Sequence, residues 1–123
     1  MRSAARRSPC PLACALDLFG DRWTLLLIRD LFLGKQRYDE FMSSPEGIAT
    51  NILADRLKLL AEHGLVKRIP DKEDKRRFLY QLTPRGRSTR QFLLPMIRWG
   101  LAQCKGTRTM GGSFPEPGPE HEA

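Results

Sequence analysis

Between Ile48 and Gly86 the hydrophobic period changes from helical to alternating within a few residues, and this switch limits the folds open to the chain more than any other feature. In "IATNILADRLKLLAEHG", residues 48–64, Leu53, Leu57 and Leu60 recur at spacings of four and three. Asn51, Ala54, Asp55, Lys58 and Glu62 fall on the opposite face. Gly64 is placed to end the helix in a left-handed cap. "LVKRI" at 65–69 and "FLYQL" at 78–82 then read as antiparallel strands across the charged turn "DKEDKRR". Two strands this short are marginal alone, so the hairpin must lean on helices. Thr83 and Pro84 announce the next helix as N-cap and first helical residue, and it is expected to run to about Cys104.

Upstream, Leu12, Ala15, Leu16 and Phe19 share one helix face that Gly20 stops. Asp21 can cap a second helix from Arg22 to Leu33, with Trp23, Leu26, Leu27 and Leu31 on its apolar arc and Phe32 at the margin. A short helical turn from Tyr38 to Met42 turns Phe41 inward before "SSPEG" breaks it. The last helix carries two apolar stripes, Phe92–Met96–Trp99 and Leu93–Ile97–Leu101, more than one side of a small domain needs; a partner subunit could cover the surplus. Pro95 lies between the stripes and is expected to kink the helix, at a cost of about 3 kcal/mol unless packing accommodates it.

With 123 residues the chain fits one domain, residues 10–104, between a flexible basic arm at 1–9 and a Gly-, Pro- and Glu-rich tail at 105–123 that reads as disordered. The net charge is +7, with +8 ahead of that tail and −1 within it, and favours an anionic partner such as nucleic acid. The N-terminal apolar run is too short for a signal peptide and is interrupted by Asp17; no run reaches the roughly 18–20 residues of a membrane span. Three cysteines, an odd number, agree with a reducing, cytoplasmic setting. Cys10 and Cys14 lack a second ligand pair, since His63 and His121 are distant in sequence, so no metal and no cofactor are expected. No phosphate-binding glycine loop or nucleophile elbow supports an enzyme.

The element order is helix, helix, short helix, turn, helix, strand, basic loop, strand, helix. This is mainly α with a small β-hairpin wing (α+β), the order of a winged helix-turn-helix. The residues also carry a resemblance, in "CPLACALDLFGDRWTLLLIRDLFLG" (10–34), "GIATNILADRLKLLAEHGLVKR" (47–68), "YQLTPRG" (80–86) and "LLPMIRWG" (93–100). Together these pieces resemble the HxlR-type bacterial winged-helix transcriptional regulators, relatives of the MarR group. The resemblance implies a homodimer joined through its N-terminal and C-terminal helices that binds double-stranded DNA at a partly palindromic operator. Leu12, Leu16, Phe92, Leu93, Met96, Ile97 and Trp99 are the expected dimer residues. The wing resembles the acidic-basic wing of MarR relatives more than the proline-containing hairpin of many HxlR-type members.

In that fold the helix from about 49 to 63 enters the major groove and the loop 71–77 lies along the backbone. Asn51 can bond adenine at two atoms, with Thr50, Asp55 and Lys58 on the same end or face. Arg56 borders the core face and either reaches phosphate or braces the helix. Lys75, Arg76 and Arg77 can each displace counterions from DNA, and Arg37 is a further phosphate candidate. Trp23 and Trp99 are candidates for lining an effector pocket in the dimer. Cys10, ahead of Pro11 and near Arg6 and Arg7, is a candidate sensor of oxidants or electrophiles, because a helix N-terminus and nearby cations favour the thiolate. The competing reading is a winged-helix module that dimerises or binds protein without specific DNA binding.

Overall fold

The computed structural model describes residues 7–109; the expected basic arm falls partly, and the expected tail mostly, outside them. The elements are α1 (Pro11–Phe19), α2 (Thr24–Phe32), α3 (Tyr38–Met42), α4 (Thr50–Glu62), β1 (Val66–Pro70), β2 (Phe78–Leu82), α5 (Pro84–Arg87) and α6 (Arg90–Gln103). Among the described residues no helix is long and apolar enough to cross a membrane.

The core forms where the apolar periods meet. Leu53, Leu57 and Leu60 of α4 are fully buried and pack with Leu27, Ile28 and Leu31 of α2, Phe41 of α3, and Leu65, Val66, Tyr80 and Leu82 of the hairpin. Ile28, which the expected α2 arc omitted, is among the most enclosed side chains, whereas Leu26 is only half-buried. The hairpin register pairs Val66 with Leu82, Arg68 with Tyr80 and Pro70 with Phe78, so alternate residues face the helices. The Tyr80 N–H also donates to the Gln36 carbonyl at 2.9 Å, which ties the chain ahead of α3 to β2.

Gly64 ends α4 at a φ of 73°, where a Cβ is disfavoured. Gly86 is required for a different reason, because a Cβ there would lie 2.0 Å from the Leu65 carbonyl oxygen. Its N–H donates to Thr83 Oγ1, and the Thr83 hydroxyl donates to the Gly64 carbonyl, so the start of α5 is sewn onto the end of α4.

Two expectations need correction here. The helix expected to run unbroken from Pro84 is divided at Ser88 and Thr89, where tight three-residue bonds such as Thr89 N–H to the Gly86 carbonyl replace the α-helical ladder; α6 then continues through Pro95. Leu93 was expected at a dimer face, but it is only 4% exposed and belongs to the core, with Ile97 packed against it. The surplus apolar surface is instead carried by Phe92, Met96, Trp99 and Leu101 of α6 with Leu12 and Leu16 of α1, all exposed. Phe19 joins the two helices by a ring contact with Phe92 at 5.2 Å.

Candidate nucleic-acid interface

Burying one leucine stripe of α4 leaves the other face in solvent, and Thr50, Asn51, Asp55 and Lys58 are exposed along it. Arg56 lies at the margin and is turned back into the protein. Its Nε donates to Asp21 Oδ2 at 2.9 Å, and its guanidinium also contacts Asp55. Asp21 is a junction: it accepts from the Trp23 N–H at 2.9 Å, the Thr24 N–H at 3.1 Å and the Thr24 hydroxyl, so it satisfies the first N–H groups of α2 while also holding α4, although α2 begins at Thr24, two residues later than expected, with Trp23 at its N-cap. Burial pushes the Asp21 carboxyl up, but the bonds from Thr24 and Arg56 outweigh it and hold the group below the usual carboxylate range. The same Asp21 bond raises the Arg56 guanidinium against its burial.

The turn that delivers α4 rests on a polar cluster that sequence reading missed. Asp30, 2% exposed, accepts from Ser44 Oγ at 2.7 Å and from Arg29 Nη2 at 2.9 Å. Arg29 also grips Glu46 through both terminal nitrogens at 2.8 and 2.9 Å, and Lys35 Nζ reaches Ser44 Oγ at 2.5 Å. The Arg29 bond holds the Glu46 carboxyl below its ordinary range against its own burial. Buried charges are tolerable only when paired in this way. The effect is to fix residues 43–47, immediately ahead of the exposed start of α4.

At the wing the expected phosphate contacts are partly engaged within the protein. Asp71, taken from sequence as the edge of the charged turn, is buried. Its Oδ1 accepts from the Glu73 N–H at 2.9 Å, and its Oδ2 faces Arg37 Nη1 at 3.1 Å, close but not aligned as a hydrogen bond. Arg37 therefore braces the wing base, with Glu73 3.7 Å from its other nitrogen. At the tip, Asp74 accepts from Arg76 Nε at 3.2 Å and lies 3.5 Å from Arg77 Nε. The Arg76 bonds hold the Asp74 carboxyl below its usual range. Lys58 and Lys75 are exposed, and no carboxylate among the described residues pairs with either.

Between α3, the start of α4 and the wing lies an open groove of about 570 Å³, lined by Arg37, Arg68, Arg76, Arg77, Tyr38, Tyr80, Phe78, Met42 and Thr50 among others. The Arg68 guanidinium sits 4.1 Å above the Phe78 ring. Burial and the neighbouring Tyr80 push the Tyr38 phenol up, so it stays a neutral donor at physiological pH. Arg68 was not among the residues singled out from sequence; its place in a strand concealed it.

Elsewhere, Cys10 is exposed ahead of α1, as are Cys14 and Cys104. The Arg7 guanidinium reaches along α1 to Asp17 at 2.6 Å; Arg6 lies outside the described residues. Trp23 bounds a cavity of only about 10 Å³, room for one water at most, and Trp99 is 65% exposed on the outer face of α6. Among the described residues no group of three or more metal-ligating side chains comes together.

The profile of the HxlR-like helix-turn-helix family matches residues 18–108. The HTH-type transcriptional regulator Rv3095 of Mycobacterium tuberculosis is 38% identical over 86 residues, which cover 70% of this chain and 54% of Rv3095; the chain thus spans about half the length of that relative. The crystal structure of PA1607 superposes with a TM-score of 0.76 at 34% identity, covering 91% of this chain and 82% of PA1607. The redox regulator HypR in its reduced form superposes with a TM-score of 0.71 at 28% identity, covering 78% of this chain and 95% of HypR, and its oxidised form is a further match.

Proposed function

The chain belongs to the HxlR-like helix-turn-helix family; from that premise we propose that it is a transcriptional regulator that acts as a homodimer on double-stranded DNA, reading a partly palindromic operator and repressing the adjacent genes from the cytoplasm. The observation that carries the reading is the arrangement of α4: an exposed polar face beginning at Thr50 and Asn51, beside a groove lined by four arginines and flanked by the wing. An α-helix fits the major groove, and the Asn51 amide matches the paired donor and acceptor of adenine. Lys58 and Lys75 serve phosphates. Arg76 and Arg77 add to them only as far as Asp74 releases them, and Asp55 is held by Arg56. Arg56 and Arg37 act as braces, setting α4 on α2 and the wing on α3.

The apolar face of Leu12, Leu16, Phe92, Met96 and Trp99 is the proposed dimer surface, because apolar patches of this kind on a small domain mark an association site. Cys10, at the N-cap of α1 and open to solvent, is the proposed reporter of oxidants or electrophiles. HypR, solved in reduced and oxidised forms, supports a redox effector for this fold. If Cys10→Ser leaves DNA release by diamide, peroxide and aldehydes unchanged, the sensor role is wrong.

The test of the interface is Lys58→Ala combined with Lys75→Ala, assayed for DNA affinity and, by light scattering, for mass. Loss of DNA affinity with an intact dimer is expected. Unaltered DNA binding would remove α4 and the wing tip from the interface, and a dimer with no DNA binding even before substitution would favour the protein-interaction module.

A further inference from the structure

Arg68 stands where the strand pattern calls for an apolar residue. In the antiparallel register Val66, Arg68 and Pro70 share a face with Leu82, Tyr80 and Phe78, and the inner members Val66, Leu82 and Tyr80 are buried in the core. Arg68 lies on that same face where the hairpin extends past the core, so its side chain forms a wall of the groove opposite α3 and the start of α4. It is exposed, stacked on Phe78, and its charge is felt at Tyr38 across the groove. Asp39 also lines the groove, yet among the described residues no carboxylate lies within ion-pair distance of Arg68. The other three arginines of the groove each have one: Arg37 has Asp71 and Glu73, and Arg76 and Arg77 have Asp74.

A cation without a carboxylate partner among the described residues, lying over a ring on the inward face of a strand and open to a groove, is arranged for an anion supplied from outside. We infer that Arg68 is the groove's ligand for a DNA phosphate and that Phe78 is its positioning residue, holding the guanidinium plane toward the passing strand. The inference rests on the DNA-binding reading and refines it: the groove's phosphate contact is made by a residue of β1 and not by Arg37 or the paired tip arginines. Arg68 contributes affinity and salt dependence without sequence choice. Stacking leaves the guanidinium donors free at their edges while cutting the rotamer freedom lost on binding.

The experiment is the salt dependence of binding to a short duplex of arbitrary sequence, measured by fluorescence anisotropy for the full chain and for Arg68→Met, Arg68→Lys and Phe78→Leu. Arg68→Met is expected to reduce the slope of log affinity against log salt by about 0.9 per subunit, one phosphate contact. Arg68→Lys should restore the slope, and both it and Phe78→Leu should bind about two- to five-fold more weakly than wild type at one salt concentration. A merely structural role would lower affinity or melting temperature without moving the slope, and since Arg68 is exposed the melting temperature should hold. A wild-type slope for Arg68→Met, with the wild-type chain binding normally, overturns this inference alone. Absence of wild-type binding at low salt overturns the DNA reading and this inference with it.

Discussion

Replacing Asp21 by Asn tests the joint between the second helix and the proposed recognition helix. Asp21 Oδ2 faces three donors, the Trp23 and Thr24 N–H groups and Arg56 Nε, and Oδ1 takes the Thr24 hydroxyl. An Asn amide keeps one oxygen, so a new donor must face either existing donors or the Thr24 hydroxyl. Losing a charge-assisted bond to Arg56 costs about 1.5–3 kcal/mol, and weakening the cap of α2 adds about 1 kcal/mol. The sum, about 3 kcal/mol, corresponds to a melting temperature lower by roughly 10 °C or more. The pH dependence fixes the sign. Asp21 is depressed below its unfolded value, so its stabilisation is fully present above that value and is lost as pH falls through the lower folded pKa. Urea unfolding of wild type and Asp21→Asn should therefore differ most near neutral pH and converge under strongly acid conditions. Equal stability at neutral pH, or a gap that stays constant as the carboxyl is protonated, would refute the reasoning.

Gly86→Ala should destabilise by about 1–3 kcal/mol or more, because its Cβ meets the rigid Leu65 carbonyl at 2.0 Å and cannot be relieved by a rotamer change; thermal unfolding checks this. Trp99→Glu, at a side chain exposed in the monomer, should leave helix content unchanged and shift the mass by sedimentation from dimer to monomer; a persistent dimer would move the interface elsewhere. Asn51→Ala should weaken binding to the operator by about 1–3 kcal/mol, five- to more than a hundredfold, with a scrambled duplex unaffected in anisotropy titrations.

The features legible in sequence were those repeated along the chain. Leu53, Leu57 and Leu60 announced α4 because its buried stripe is continuous, and Thr83–Pro84 marked the start of α5 because capping is local chemistry. The hairpin followed from alternation, with β2 on the expected residues 78–82 and β1 one residue later than expected, at 66–70. Features set by distant pairing were not legible. Asp30 looked like any polar residue of a helix, since its partner Ser44 is 14 positions away, and Arg56 meets Asp21 across 35 positions. Arg37 looked like a phosphate contact because nothing in its neighbourhood announces the buried Asp71. Phe92 and Leu93 are adjacent and equally apolar, so only the packed helix tells which faces the core. Arg68 stands singly inside a strand and so makes no charge cluster in sequence, whereas the arginines dense at the wing tip do, although they are already paired.

The central claim is sequence-specific DNA binding, and the most direct test is anisotropy of the reduced protein with duplex from its own upstream region and with a scrambled duplex of the same composition, at low and near-physiological salt. The account predicts that the native duplex stays bound at the higher salt while the scrambled one is released, a preference of about a thousandfold or more. Equal affinity for both duplexes, falling together as salt rises, would contradict it and leave only the attraction of a basic surface for an acidic polymer.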